Sequence, residues 1–334
     1  MIIRKCTSAD ADSLCGLWNE YAETEIVHKK MNSADFERTF FGEIQDADKL
    51  TFAAYDEKNI LEGFINGSHR RGSKTAYITF AIVRREYRRK GTATALLAKL
   101  EEALSALSDI PLQSYDVIFF NPVQLEWIIP GTPGHDHPNA PGADMQSDGY
   151  IWLKNVGFRD YCTQNSFYLP LNKFNYTDQI AAALENQRSE GFDIEYYSPD
   201  RHFGMQALLE NLASDDWKNT INANLAKSEP LKVLIAVDNN KKDESGRSLT
   251  IGFTGPLAVQ PSGRGYFAGI GIHSEYRGHG LGKTLFSGLC RSLSEMGAGY
   301  MTLFTGEDNP ARNIYASAGF KIVRSWSDMK KPVK

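Results

Sequence analysis

The sequence has little cysteine: four in 334 residues, at Cys6, Cys15, Cys162 and Cys290, with no Cys-x-x-Cys pair. That argues against a zinc ribbon or a disulfide scaffold and fits a reducing, cytoplasmic setting. Charge of one sign is also scarce. Lys and Arg total 37 against 41 Asp and Glu, a net of −4, so no basic excess points to nucleic acid. No apolar run reaches the roughly 18 residues of a membrane helix, so no membrane partner is expected. The opening residues, MIIRKCTSADADSL, turn polar too early for a secretion signal. What is present is ordinary for a globular chain: 42% apolar and 23% charged residues. The length suggests two domains, each able to bury its own core.

An internal repeat supports that division. Tyr77, Glu86, Tyr87, Arg88 and Gly91 recur at Tyr266, Glu275, Tyr276, Arg277 and Gly280, all offset by 189. A second shared pair, Gly157-Phe158 and Gly319-Phe320, is offset by 162, so the first copy carries 27 extra residues between these landmarks. A period this long is a duplicated domain. The expected division is 1–172, a linker at 173–192, and 193–334.

Both copies predict the same element order. Residues 2–6 read as a strand, with Ser8 capping a helix from about Ala9. Strands follow near 50–56, 60–68 and 76–83. The stripe Ala93, Leu96, Leu97, Leu100, Ala103, Leu104 and Leu107 predicts a helix over 92–107. Val117–Phe120 (VIFF) reads as a buried strand. The second copy repeats the order with strands at 194–197, 233–237, 249–255 and 266–272, a helix from Gly280, and a strand near 300–304. The linker contains a short helix, and 239–248 reads as a hairpin loop or mobile segment. The insertion at 111–149 holds six of the 13 prolines and four glycines. Long loops of this composition are usually functional or disordered. Trp127, Ile128 and Ile129 favour order.

The chemical signal is a strand, then Arg-Gly-His-Gly-Leu-Gly at 277–282, then a helix. Glycines let several backbone N–H groups converge, and a helix N-terminus adds positive potential, a combination suited to pyrophosphate. A Walker loop is excluded, because its first glycine would fall at Arg277. The dinucleotide fingerprint is excluded too, because position 283 is Lys and three strands precede the turn.

The segment resembles motif A of the GNAT acetyltransferases, Arg/Gln-x-x-Gly-x-Gly/Ala. Arg277, Gly280 and Gly282 match it in the second copy, and Arg88, Gly91 and Ala93 in the first. Asn309, Ala311, Tyr315, Gly319 and Phe320 resemble the family's downstream motif. The resemblance implies an α/β (α+β) fold of two GNAT-like domains, each a mixed, mainly antiparallel sheet flanked by helices. It also implies acetyl-CoA as co-substrate, bound where two parallel strands splay apart. Ile270, Gly271 and Ile272 would then hold the pantetheine arm. The amides of Arg277, Gly278, His279, Gly280, Leu281, Gly282 and Lys283 would hold the pyrophosphate, and Asn309 the cofactor arm. Tyr315 would protonate the CoA thiolate after direct attack by a small-molecule amine. The tandem arrangement is similar to that of double-GNAT proteins.

The first copy departs from this pattern. Where Tyr315 precedes Phe320 by five residues, Leu153 precedes Phe158. The thiolate donor is therefore expected only in the second copy. The cationic run Arg84–Lys90 could still attract phosphates, though such a run is more often a solvated face. Other candidates carry a bland reading beside the functional one. His135-Asp136-His137 are adjacent loop residues that rarely chelate one ion, so no metal is expected. His273 is a candidate base, and Glu307 and Asp308 could attract a cationic acceptor. No acidic residue lies between Tyr266 and Ile272 to act as base. Two alternatives stand: an acyl-CoA sensor without turnover, and a longer acyl donor such as propionyl or succinyl, for which Gly269 and Gly271 leave room. The insertion is expected to shape the acceptor site.

Overall fold

The computed structural model describes residues 1–333. The chain forms two compact units: Met1–Ser166 together with the chain from Val323 onward, and Phe167–Ile322.

In the first unit, strands β1 (Ile2–Lys5), β2 (Ala47–Tyr55), β3 (Leu61–Arg70) and β4 (Thr75–Val83) form an antiparallel sheet. Strand β5 (Ser114–Val117) joins β4 in parallel, from Thr75↔Ser114 to Tyr77↔Asp116. Helices α1 (Ala11–Tyr21) and α2 (Ser33–Phe40) bury Leu14, Trp18, Phe36 and Phe40 against Phe64 and Ile82. Helix α3 (Thr92–Leu107) buries Leu96, Leu97, Leu100 and Leu104 with Phe52, Ile65 and Ile78. Each such side chain contributes about 1.5–3 kcal/mol by leaving water.

Several local expectations change. Ser8 does not cap α1; it opens a 3₁₀ turn, Ser8–Asp10, in which the Thr7 N–H donates to the Asp10 carboxylate at 3.0 Å, and the α-helix starts at Ala11. Helix α2 went unread because it shows only two apolar turns; the Asn32 side chain caps it, accepting from the Asp35 N–H at 2.8 Å. The 117–120 strand stops at Val117. Ile118 bridges to Gly142, and the chain turns so that Phe120 is 61% exposed, its ring centroid 4.2 Å from that of Phe119.

The insertion is packed. Trp127-Ile128 pairs with Asp136-His137, Trp127 and Ile129 are fully buried, and Val123 and Leu125 join the cluster around Trp18 and Phe80. Lys29 ties it down through Glu126 (3.0 Å) and Asp136 (2.8 Å). Helix α4 (Asp148–Asn155) and strand β6 (Arg159–Pro170) follow. Among the described residues no cluster of three or more His, Cys, Asp or Glu side chains is placed to hold a metal ion. No helix there is long and apolar enough to cross a membrane.

The last strand (Lys321–Pro332), which the repeat assigns to the second domain, pairs antiparallel with β5 through Met329↔Val117 to Pro332↔Ser114. It thereby covers an otherwise open edge. Its Asp328 is 2% exposed, accepts from the Gln164 amide at 2.8 Å, and leaves Oδ1 without a partner. Burial, with Asp116 adding repulsion, pushes this carboxyl up to about 6. Unfolded, it titrates near 3.9. Stability therefore falls between about pH 4 and pH 6, and above that range the folded state carries a cost on the order of 3 kcal/mol. Asp328→Asn is expected to raise the thermal midpoint of the first unit at pH 8 and to change little at pH 4. Equal midpoints for variant and parent at pH 8, by differential scanning calorimetry, would count against this.

In the second unit, helix α5 (Asp178–Ser189) occupies the stretch read as a linker. It packs on the unit, with Ile180 and Gln187 buried, and Thr177 caps it by accepting from the Ile180 N–H at 3.3 Å. Then come β7 (Phe192–Tyr196), α6 (Met205–Leu212), α7 (Asp215–Leu225), β8 (Leu234–Lys242) and β9 (Ser248–Gly255). The segment 239–248 is a hairpin connection, its turn held by Asp243 Oδ1, which accepts from the Ser245 and Arg247 amides. The remaining elements are β10 (Arg264–Tyr266), β11 (Gly269–Ile272), α8 (Leu281–Glu295), β12 (Tyr300–Gly306) and α9 (Ala311–Ser317). The repeat is visible in detail: the Tyr276 hydroxyl donates to Asp238 Oδ2 at 3.0 Å, as Tyr87 does to Asp56 Oδ2 at 3.1 Å.

Candidate active site

The strand expected over 266–272 is broken at Phe267 and Ala268. Its first part, β10, pairs in parallel with β12 through Arg264↔Tyr300 and Gly265↔Met301. Its second part, β11, pairs on the other side with β9, from Gly252↔Ile272 to Gly255↔Gly269. The two sheets thus part beyond Gly265 and Met301. Along the resulting cleft, the backbone of Ile270 and Ile272 faces away from β9, while Gly271 faces it; the Ile272 carbonyl has a side-chain partner, and the rest of this edge is open to water or a ligand.

The chain leaves β11 through a 3₁₀ turn, Ser274–Tyr276, and enters a loop in which Gly278 (φ +89°) and Gly280 (φ +75°) adopt left-handed backbone. Helix α8 starts at the next residue, Leu281. Among the described residues, the amides of Gly278, His279, Gly280, Leu281 and Gly282 donate to no protein acceptor, whereas Lys283 N–H turns back to the Gly280 carbonyl at 3.0 Å. Five orphan donors at a helix N-terminus are a set of groups that can accept an anion. A Cβ on Gly278 would meet nothing within 4 Å, so the space in front of the loop is open. Gly282 is different. A Cβ there would lie 3.3 Å from Ile314, so this glycine lets α8 and α9 approach.

Neighbouring groups set the loop. The buried Gln187 amide of α5 donates to the His279 carbonyl at 3.0 Å, which fixes that peptide. Arg277 Nε donates to the Ile272 carbonyl at 3.3 Å, so its guanidinium braces the strand exit. Lys283 is exposed on the first turn of α8, and the His279 ring lies 6.0 Å from Phe192.

Tyr315 comes from α9. Its ring packs on Phe286 of α8 (5.0 Å) and on Phe167 (5.5 Å), and it is 8% exposed. Its hydroxyl makes no hydrogen bond among the described residues, and burial pushes its pKa above the ordinary phenol value. It therefore holds its proton throughout the neutral range. Asn309 has a structural task as well: its Oδ1 accepts from the Ala311 N–H at 2.9 Å at the start of α9, so only its amide NH₂ is left for a ligand.

The two faces of β11 differ. Ile270 and Ile272 pack in the cluster of α8, α9 and Tyr315. Gly269 and Gly271 face the other way, and the room expected beside them is taken. A Cβ on Gly269 would lie 2.4 Å from the Trp217 indole nitrogen, and one on Gly271 would lie 2.6 Å from Leu212. His273 Nδ1 accepts from the Glu275 N–H at 3.3 Å, which ties it into the turn. Glu307 and Asp308 are exposed beside Asn309.

The profile of the acetyltransferase (GNAT) family matches residues 13–110 and 198–320. The chain belongs to the GNAT family. It is an enzyme of that N-acetyltransferase kind, with two GNAT domains in tandem. Among solved structures, it aligns over 98% of its length with the GCN5-related glucosamine N-acetyltransferase region of a fungal multi-domain GH3 β-N-acetylglucosaminidase (TM-score 0.64, 15% identity), spanning 38% of that protein. A GCN5-related N-acetyltransferase from Sphaerobacter thermophilus aligns at TM-score 0.58, and a tandem GNAT protein of the clavulanic acid biosynthesis pathway at 0.57. Both alignments are 15% identical and cover 99% of this chain, with 95% and 98% of those proteins. No curated protein matches in sequence.

The first GNAT domain keeps the loop but not its surroundings. Arg89 (φ +60°) and Gly91 (φ +88°) repeat the left-handed pair, and α3 follows, with Ala93 in place of Gly282. Three of its five cations pair locally: Arg84 with Glu20, and Arg85 and Arg88 both with Glu25. Leu153, which stands where the repeat has Tyr315, is buried, and the neighbouring Trp152 donates to Thr94 Oγ1 at 3.3 Å. Beside β4, Asn121 of the insertion donates to Thr79 (3.1 Å) and accepts from Ser68 (2.8 Å), while Val123 and Leu125 pack with Phe80. A cavity of about 40 Å³ lies there, lined by Ile78, Thr79, Ile118 and Asn121 among others.

Gln187, Trp217 and Leu212 escaped the sequence reading. Gln187 lies in the supposed linker, and the other two reach the strand from helices more than 50 residues earlier. The apolar stripe of α6 was the one available hint.

Proposed function

We propose that the second domain transfers acetyl from acetyl-CoA to a primary amine of a small molecule, by direct attack within a ternary complex. One observation carries this reading: a phenol with no hydrogen-bond partner sits on a helix packed against the helix whose N-terminus bears five unpaired amides. Those donors fit a pyrophosphate, and the open edge of β11 fits a pantetheine amide chain. When bound, the thioester supplies an activated acyl group.

The chain's own contribution is mostly positional. The amides of residues 278–282 hold the nucleotide end. Ile270, Gly271 and Ile272 orient the arm, and the Asn309 NH₂ meets it further along. Tyr315 gives its proton to the departing sulfur as the tetrahedral carbon collapses. The strand residues carry no carboxylate, so the amine loses its proton through water. The first domain, with its phenol replaced and the insertion packed beside β4, carries no turnover.

A primary-amine panel with thiol-release detection tests this. Amino sugars come first, because one fold relative contains a glucosamine N-acetyltransferase region. The expected result is amine-dependent thiol release that disappears in Tyr315→Phe. Tight acetyl-CoA binding with no amine accelerating release would favour a sensor.

A further inference from the structure

We propose that Trp217 and Leu212 close the acyl end of the cleft and restrict the donor to a two-carbon group. This rests on the reading of the second domain as the acetyl-CoA site. The geometry is specific. Gly269 and Gly271 face α6 and α7, and the Trp217 indole and the Leu212 isobutyl group sit so close that neither glycine could carry a methyl without displacing them. The opposite face of the same strand carries Ile270 and Ile272, packed with the Tyr315 cluster. A thioester held along β11 with its sulfur toward Tyr315 would bring its acyl group beside Gly269 and Gly271, on the side of the strand that this pair occupies.

The closure is fixed in place. Trp217 packs edge-on against Phe253 of β9 at 5.9 Å, and its backbone N–H donates to the Ser214 hydroxyl that caps α7, at 3.4 Å. Asn211, the neighbour of Leu212, makes two 2.9 Å hydrogen bonds to Ser274, from Nδ2 to Oγ and from the Ser274 N–H to Oδ1. The end of α6 is thus bound to the exit of β11, which fixes the backbone that carries Leu212. Packed apolar walls discriminate by size, roughly tenfold or more per poorly accommodated methylene.

The test compares CoA, acetyl-CoA, butyryl-CoA and hexanoyl-CoA by calorimetric titration into the full-length protein, with Trp217→Ala and Leu212→Ala alongside. For the parent, acetyl-CoA is expected to bind at least about tenfold more tightly than hexanoyl-CoA. In each variant that ratio falls toward one, while affinity for CoA itself is unchanged. The unchanged CoA value also certifies that the variant is folded, and Leu212→Ala stands in if Trp217→Ala fails that check. Equal binding of acetyl- and hexanoyl-CoA by the parent, or an unaltered ratio in a folded variant, overturns the inference and leaves the function reading intact. Failure of the parent to bind CoA at all removes both.

Discussion

Tyr315→Phe is expected to lower kcat for acetyl transfer by about a hundredfold or more, with acetyl-CoA affinity nearly unchanged. The substitution removes one oxygen and keeps the ring that packs on Phe167, Phe286 and Phe320, so the fold loses little. The hydroxyl has no structural partner to abandon, which makes the change a test of chemistry alone. Only the step in which sulfur departs needs this proton, so the loss appears in kcat and not in the binding of the donor. Steady-state kinetics with a competent amine, and a titration of the same variant with acetyl-CoA, separate the two quantities. An unchanged kcat would move the proton donor elsewhere.

The second large effect is expected at Gly280. Gly280→Val places a β-branched residue at φ +75°, a region such side chains avoid. The open space around the position cannot relieve this, since the nearest group to an added Cβ is the Gln187 amide at 3.5 Å. The loop must then change its backbone, and the convergent amides scatter. Each hydrogen bond to a charged group is worth about 1.5–3 kcal/mol, so losing two of them weakens acetyl-CoA binding by a factor on the order of a hundred or more. Gly91→Val applies the same backbone strain at φ +88° in the first domain and is expected to leave both acetyl-CoA affinity and turnover in place. Loss of function from Gly91→Val with retention in Gly280→Val would reverse the assignment of the two domains.

What the sequence made legible was local. Gly278, Gly280 and Gly282 announce the loop because left-handed backbone and a close helix approach each exclude most side chains. The spacing of Tyr315 to Gly319-Phe320 survives as one turn and one strand entry. The 189-residue repeat made the duplication visible, down to the Tyr-Asp pair that braces each loop. What stayed hidden depends on contacts between distant segments. The pairing of the last strand with β5 leaves no mark in composition or period. The break at Phe267-Ala268 follows from β10 and β11 choosing different partners, which a run of alternating residues does not reveal. The glycines at 269 and 271 looked like empty space; they are instead seats for Trp217 and Leu212. The insertion is ordered, as the apolar weight of Trp127, Ile128 and Ile129 suggests, and its Val123 and Leu125 join the first domain's own core.

The central claim is that one domain of the two grips acetyl-CoA. Counting the binding sites on the intact chain tests it most directly. Calorimetric titration is predicted to find one acetyl-CoA per chain, with that single site lost in Gly280→Val and kept in Gly91→Val. Two equivalent sites, or one site indifferent to Gly280→Val, would contradict it.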